Sequence, residues 1–199
     1  MGLVIAYKKT DRVLFASDTQ RTFGDFRYHS TIKGANTNIN HITKGITVAF
    51  SGDSRIKEAL IFMDRCFESF ERKDPLTKEF IMRNVIPQLY DELEWRELFE
   101  DDSLKNGNSE MCGTFLLAKG TDIFHIDSDF AVTTVDKYAI IGENSFFALE
   151  YIDSTEEKDI EEAMLSALRY THQKSITVSA PYYFTDTRSR KFRFAEETK

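Results

Sequence analysis

The chain contains few of the residues that break or cross-link a polypeptide. Its 199 residues include three prolines, two cysteines and a single tryptophan. Little proline leaves little material for rigid linkers, and the length suits one domain with a sizeable core, which we predict over residues 1–199. Cys66 and Cys112 both fall in apolar patterns. We interpret them as small buried side chains in a reduced, cytoplasmic protein.

Long apolar runs are also missing. No stretch approaches the roughly 18 consecutive apolar residues that a membrane-spanning helix needs, so no membrane partner is expected. The apolar start leads directly into Lys8 and Lys9, and we interpret it as a strand rather than a signal peptide. The net charge of −7 argues against binding to nucleic-acid phosphates over the whole surface. The four histidines lack metal-ligand spacing, so neither a metal nor a cofactor is predicted.

What the chain does contain is a mixture of strand and helix patterns. Continuous apolar runs predict strands covered on both faces, and apolar residues spaced i, i+3, i+4 and i+7 predict helices. The predicted strands cover residues 3–7, 13–17, 46–50, 112–118, 122–127, 130–135, 138–141 and 175–185. The predicted helices cover residues 55–72, a segment after Pro75, 145–152 and 156–172.

Local signals mark the ends of these segments. Thr77 is suited to cap the helix after Pro75, and Pro87 should kink or divide that helix. Residues 18–24 are polar and rich in turn formers, so no strand is predicted there. The whole order is satisfied by an α+β fold in which two facing sheets are covered by helix pairs, a four-layer αββα sandwich.

The C-terminal region combines positive charge with aromatic side chains. Residues 188–194 contain three arginines and one lysine interleaved with Phe192 and Phe194. We interpret this segment as an edge strand, at residues 191–194, that is guarded by charge. Contact with an acidic partner is the alternative.

Several segments, taken in order, carry a family resemblance. Residues 16–20 read Ala-Ser-Asp-Thr-Gln after an apolar hairpin, and residues 38–42 precede a strand that ends in Ser-Gly at 51–52. Residues 137–142 end in Ile-Ile-Gly and lead into a helix with Phe-Phe-Ala at 146–148. Together these segments resemble the proteasome β-subunit and HslV peptidase family, which has the N-terminal nucleophile (Ntn) hydrolase fold.

The resemblance implies where a peptidase site would lie. In active members, a terminal threonine attacks the peptide carbonyl while its own α-amine acts as base. The resemblance places that nucleophile at Gly2, the motif aspartate at Asp18 and the motif lysine at Asn38. A serine and a second aspartate of the family fall at Glu143 and Lys174. Only Asp18 keeps the family residue, and Gly2 has no hydroxyl group to activate, so we expect peptidase activity at this site to be lost.

Three functions remain open from the sequence. The first is a non-catalytic subunit that forms a homo-oligomeric ring, as the resemblance implies, or binds another protein partner. The second is an Ntn-type peptidase or amidohydrolase with a different mature N-terminus or a different nucleophile, such as Ser17, Thr19 or Cys112. The third is a regulatory subunit that assembles with an active proteasome-like paralogue. Independently of function, Asp18 is also explained as a strand-end carboxylate that binds backbone amides.

Overall fold

Strands form most of the regular structure in the computed structural model, which describes residues 2–23, 26–29, 38–53, 55–56, 59, 63–99, 110–154 and 159–195. They are β1 (Val4–Lys8), β2 (Val13–Asp18), β3 (Gln20–Phe23), β4 (Phe26–His29), β5 (Ile39–His41), β6 (Thr47–Gly52), β7 (Gly113–Lys119), β8 (Asp122–Ile126), β9 (Val132–Thr134), β10 (Tyr138–Ile141), β11 (Tyr182–Asp186) and β12 (Arg193–Ala195). The longer helices of these residues are α1 (Ile86–Trp95), α2 (Ser145–Ser154) and α3 (Ile160–Lys174). The α+β class predicted from the patterns is confirmed.

The strands form two five-stranded antiparallel sheets over the described residues. The first sheet has the order β10-β1-β2-β11-β12, and the second has the order β5-β6-β7-β8-β9. A separate two-stranded ribbon joins β3 and β4. Strand β12 lies at an edge of the first sheet, so the edge strand predicted near the C-terminal end is confirmed.

The continuous apolar runs are explained by cores on both sides of the strands. On β1, Val4 and Ala6 pack into one hydrophobic cluster, whereas Ile5 packs into another on the opposite face. Phe15 and Leu14 divide in the same way on β2. Because side chains alternate between the faces of a strand, only a strand buried on both faces needs every position to be apolar.

Three clusters of buried side chains organise the core. The first joins the second sheet to α1, through residues such as Phe115, Leu117, Leu89 and Leu93. The second joins residues of both sheets, among them Val4, Phe15, Tyr183, Leu116 and Ile123. The third joins the first sheet to α2 and α3, through Ile5, Tyr182, Ala148, Met164 and Leu168.

The helix after Pro75 begins and divides where the sequence predicts. The Thr77 Oγ1 atom accepts a hydrogen bond of 3.1 Å from the backbone N–H of Phe80. A short α segment (Lys78–Phe80) continues as a π-helical turn (Ile81–Val85) before α1. Pro87 lies in the first turn of α1, directly after this π-helical turn.

The helix predicted over residues 55–72 is described only in part. Ile56 and Ala59 are helical, and Met63–Phe67 forms a 3₁₀-helix. Residues 57, 58 and 60–62 lie outside the described ranges, and the helical part ends at Phe67 rather than at residue 72. Among the described helices, none has the length and apolar character needed to cross a bilayer.

Two predicted segments differ in the structure. Residues 18–24 include the strand β3, which pairs with β4, although their composition indicates turns. The strand predicted over residues 175–185 begins only at Tyr182. Residues 175–181 form no strand, and hydroxyl side chains among them bond to residues far away in the sequence. Ser175 and Thr177 bind Asn144, and Ser179 binds Gln20.

Candidate functional site

Gly2 lies buried just before β1. Its carbonyl oxygen accepts a hydrogen bond of 2.8 Å from Ser51 Oγ at the end of β6. A Cβ atom added to Gly2 would stand 2.9 Å from Asp18 Oδ1 and 3.1 Å from Asn38 Cγ, and closer still to Asn38 Nδ2. Any side chain at this position therefore requires the amide of Asn38 to move.

Asp18 is a fully buried carboxyl group at the end of β2. Its Oδ1 accepts from the backbone N–H of Leu3 at 2.9 Å, and its Oδ2 accepts from that of Gln20 at 3.3 Å. Burial raises the pKa of Asp18 to about 7, although backbone hydrogen bonds from Leu3, Ser179 and Gln20 oppose the shift. The group is thus able to exchange a proton near neutral pH, and it also serves as the backbone acceptor that its strand-end position predicts.

Asn38 links Gly2 to the surrounding strands. Its Nδ2 donates to Ser17 Oγ at 3.2 Å, and its backbone N–H donates to the hydroxyl group of Tyr183 on β11. Ser17 Oγ in turn donates to the carbonyl oxygen of Leu3 at 2.7 Å. An amide carries no charge, so Asn38 does not lower the pKa of a neighbouring amine or hydroxyl as a lysine would.

Glu143 lies exposed in the turn between β10 and α2. The preceding residue, Gly142, has a φ of +124° and lies directly against the backbone of residues 2 and 3. A Cβ on Gly142 would stand 3.0 Å from the Cα of Leu3, and closer to the carbonyl oxygen of Gly2. The turn therefore contacts the site through its glycine, while Glu143 stays at the surface.

Lys174 is the exposed last residue of α3. Its Nζ lies 5.5 Å from the ring centroid of Tyr170 on the same helix. Of the five positions implied by the resemblance, the structure brings Gly2, Asp18 and Asn38 together. The side chains of Glu143 and Lys174 are exposed and are not part of this group.

A loop that sequence reasoning did not assign to the site is bonded to it. Gln20 Nε2 donates to the carbonyl oxygen of Ile176 at 2.7 Å, and Ser179 Oγ donates to Gln20 Oε1 at 2.6 Å. Asn144 Nδ2 donates to Ser175 Oγ at 2.9 Å and to Thr177 Oγ1 at 3.1 Å. The sequence signal for this loop was the presence of the polar residues Gln20 and Asn144, each two positions after Asp18 or Gly142. Their hydrogen-bond partners lie more than 30 residues away, so the sequence does not identify them.

The chemistry open to this arrangement is narrow. The hydroxyl groups beside Gly2 belong to Ser17 and Ser51, and both donate to backbone carbonyls. Within the described ranges, no group of three or more histidine, cysteine or acidic side chains is placed to hold a metal ion. Cys66 is a buried free thiol whose pKa burial raises to about 12, so it is not a nucleophile near neutral pH.

Solved structures resemble this chain, whereas no family model and no curated protein matches it. BPH from Thiobacillus denitrificans is 19% identical with a TM-score of 0.73, over 92% of this chain and 96% of its own. HslV from Trypanosoma brucei is 16% identical with a TM-score of 0.61, over 92% and 98% of the two chains. Anbu from Pseudomonas aeruginosa, solved as a helical assembly, is 13% identical with a TM-score of 0.71, over 99% and 88%.

This chain has the proteasome-like Ntn-hydrolase fold. The similarity covers most of each chain, and the fold expected from the motifs at residues 16–20 and 137–142 is confirmed. Identities below 20% show the fold alone. Within the proteasome-like fold of this chain, a function must be argued from the residues around Gly2.

Proposed function

We propose that this proteasome-like chain is a non-catalytic subunit that acts by assembling, as a homo-oligomeric ring or with a protein partner. The observation that carries the proposal is the packing beside Gly2. The side-chain amide of Asn38 fills the space in which the side chain of a residue at position 2 would begin. Position 2 therefore offers no hydroxyl group, and a side chain there would have to displace the amide of Asn38.

The groups around Gly2 support the same conclusion. Ser17 and Ser51 use their hydroxyl groups to hold the carbonyls of Leu3 and Gly2. Asn38 replaces the positive charge that would favour an ionised nucleophile. Asp18 remains, but it binds the backbone N–H groups of Leu3, just before β1, and of Gln20 on β3, which is a structural task.

The catalytic part of the proposal is tested by N-terminal mass spectrometry together with a fluorogenic peptide assay. Loss of a nucleophile typically leaves only the roughly 10³–10⁴-fold acceleration that comes from binding and oxyanion stabilisation. We therefore expect no hydrolysis above background, whether the mature chain begins at Met1 or at Gly2. Robust hydrolysis that is abolished by capping the N-terminal amine would overturn the proposal and favour an active Ntn-type hydrolase.

The Asp18→Asn variant is the matched control for that assay. Asparagine has the size of aspartate but does not accept a proton near neutral pH. A trace activity that is unchanged in this variant comes from a contaminant. A trace activity that disappears in it, at unchanged thermal stability, counts for an active site.

The architecture belongs to the same proposal. The three hydrophobic clusters join helix to sheet, sheet to sheet and sheet to helix, which supports a four-layer αββα sandwich forming one domain over residues 1–199. The low cysteine content, with Cys66 and Cys112 as the two cysteines of the sequence, supports a reducing, cytoplasmic location.

The assembling part of the proposal is tested by mass photometry and analytical ultracentrifugation of the purified chain. The Anbu structure from Pseudomonas aeruginosa is a helical assembly, which supports association for a chain of this fold. We expect a discrete oligomer or an extended assembly. A strict monomer at every concentration would contradict self-assembly, and co-purification with an active paralogue from the native source would favour a regulatory subunit.

A further inference from the structure

Trp95 is the most exposed of the large apolar side chains in the described residues. It is the last residue of α1 and is 76% exposed. The apolar inner face of α1 already packs on the core, because Leu89 and Leu93 are fully buried against the second sheet. Packing of the helix therefore does not explain a tryptophan here, whereas tryptophan is among the residues most enriched in the energetic centres of protein interfaces.

The surroundings of Trp95 are mostly negative, apart from the guanidinium of Arg96, which lies over the indole ring 5.4 Å from its centroid. Residues 91–97 contain four carboxylates and the one guanidinium of Arg96, a net charge of −3; the carboxylates are those of Asp91, Glu92, Glu94 and Glu97. The C-terminal end of a helix carries a partial negative charge, so carboxylates there are unfavourable for the helix itself. Glu92 pairs with Arg96 one turn later at 2.6 Å, which supports the helix, but helix stability does not explain the other three carboxylates. We refer to residues 91–97, with Trp95 and Arg96 among them, as the Trp95 surface.

A basic strip of similar size lies near the C-terminal end. Residues 186–193 contain four cations and the one carboxylate of Asp186, a net charge of +3; the cations are Arg188, Arg190, Lys191 and Arg193. The side chains of Arg188 and Arg193 are 70% and 58% exposed, and each pairs with a carboxylate, Asp11 or Glu161. Such exposed pairs contribute little free energy, so these cations are available to another partner.

The two surfaces lie at opposite edges of the second sheet. The basic strip adjoins the β5 edge, where Arg190 donates to the carbonyl oxygen of Ile42 and the Phe192 ring lies 5.3 Å from that of His41. The end of α1 adjoins the turn between β8 and β9, where the Phe99 and Phe130 rings are 6.1 Å apart. Strands β5 and β9 are the two edges of the sheet. One chain therefore has no means of bringing its own two surfaces together.

We propose that the Trp95 surface of one copy of this chain binds the basic strip of a second copy. The charges of the two surfaces are equal and opposite, and arginine side chains are well suited to stack on an indole ring. A contact between two different surfaces leaves one of each free at the ends, so it repeats until it closes a ring or extends as a helix. The inference rests on the proposed function as an assembling subunit and assigns the contact that would build the assembly.

The first experiment uses the fluorescence of Trp95, which is the one tryptophan of the sequence. Emission and acrylamide quenching are measured across a dilution series, with the oligomeric state followed by mass photometry on the same samples. We expect emission at shorter wavelength and weaker quenching in the assembled state than in the dissociated state. Raising the salt concentration should dissociate the assembly and expose the indole, because exposed charge pairs are screened.

The second experiment exchanges the charges. Asp91→Lys with Glu94→Lys, or Arg188→Glu with Lys191→Glu, should each weaken assembly, and a mixture of the two double variants should assemble again. Trp95→Ala should weaken assembly by about 30-fold or more, as expected for an energetic centre of an interface. Met82→Ala is the matched control. Met82 is also a large exposed apolar side chain, at 53%, but it lies in the π-helical turn before α1 and outside both surfaces.

The outcomes separate this inference from the proposed function. If the wild-type chain assembles while Trp95 stays exposed, or if the mixed charge variants fail to assemble again, the contact is wrong and assembly stands. If the wild-type chain is monomeric at all concentrations, the contact and the self-assembly of this chain are both overturned, and binding to a different protein is the part of the proposed function that stands. Thermal melting of each variant identifies loss of folding, and the mixing experiment remains decisive because it depends on regained assembly rather than on loss.

Discussion

The side-chain amide of Asn38 occupies the space in which a Cβ atom on Gly2 would stand. These are the positions that the resemblance assigns to the nucleophile and to the lysine, and the asparagine amide fills the volume that a side chain at position 2 would need. Asn38 is held in place through Ser17 Oγ and through the hydroxyl group of Tyr183. The glycine and the asparagine are therefore one structural unit.

Adding a methyl group at position 2 should destabilise the chain through this contact. We expect Gly2→Ala to lower the free energy of unfolding by about 1–3 kcal/mol, the usual cost of overpacking a filled site. Asn38→Ala should remove most of that penalty when the two substitutions are combined, because the clashing atom is gone. A double-mutant cycle of chemical denaturation on the two single variants and the combination measures this coupling.

Gly142→Ala is the control for that cycle. Its Cβ would meet the backbone of residues 2 and 3, and its φ of +124° is strained for any residue other than glycine. Truncating Asn38 should leave the Gly142→Ala penalty unchanged. A Gly2→Ala variant as stable as the wild type, or equal coupling of Asn38→Ala to both glycine variants, would contradict the assigned packing.

Much of the fold was predictable because strands that are buried on both faces have continuous apolar sequences. Phe15 and Leu14 pack into different clusters, and a continuous apolar run is the direct consequence. The loop at residues 175–179 was not predictable in the same way. Thr177 and Val178 have strand propensity, but Thr177 bonds with Asn144, and a contact across more than 30 residues leaves no local pattern.

The sequence predicted which residues belong to the candidate site but not the contacts between them. The motif at residues 16–20 identified Asp18, and counting back from it gave Gly2. Nothing in the sequence indicated that Ser51 Oγ would bind the Gly2 carbonyl, because that contact joins the ends of strands in different sheets. The crowding by Asn38 likewise depends on tertiary packing.

Asp18 should make the stability of the chain depend on pH below neutrality. Burial raises its folded pKa from 3.8 to about 7, so its contribution is fully present below pH 4 and is lost as pH rises through 7. The full shift corresponds to on the order of 4 kcal/mol. Urea denaturation between pH 4 and 7 should show this slope in the wild type and its absence in Asp18→Asn.

An exposed carboxylate provides the control for Asp18. Asp129 Oδ1 accepts from the backbone N–H of Ala131, and an asparagine keeps that acceptor. Asp129→Asn should therefore follow the wild-type pH curve. If Asp18→Asn has the same slope as both of them, the buried carboxyl does not take up a proton in this range.

His41 joins the two sheets and should act in the opposite direction. One ring nitrogen lies 2.9 Å from Thr47 Oγ1 on β6, and the other lies 2.7 Å from Thr185 Oγ1 on β11. Burial, with a smaller effect of Arg190, lowers the pKa of His41 from 6.5 to about 4. Its contribution is therefore present above pH 6.5 and is lost as pH falls through 4. Because the ring is only half-buried, we expect about 1–2 kcal/mol.

Acidification should raise the free energy of unfolding through Asp18 and lower it through His41, so the two variants are more informative together than either is alone. His41→Gln keeps one donor and one acceptor but does not titrate, so acidification from pH 6.5 to 4 should stabilise this variant more than the wild type. Asp18→Asn should instead lose stability over the same range, because His41 then acts unopposed.

Thr185→Val removes one hydrogen bond of the imidazole without removing the titrating ring, so its curve of stability against pH should be lower throughout and should still bend with acid. Parallel curves for His41→Gln and the wild type would show that the imidazole does not stay neutral between the sheets.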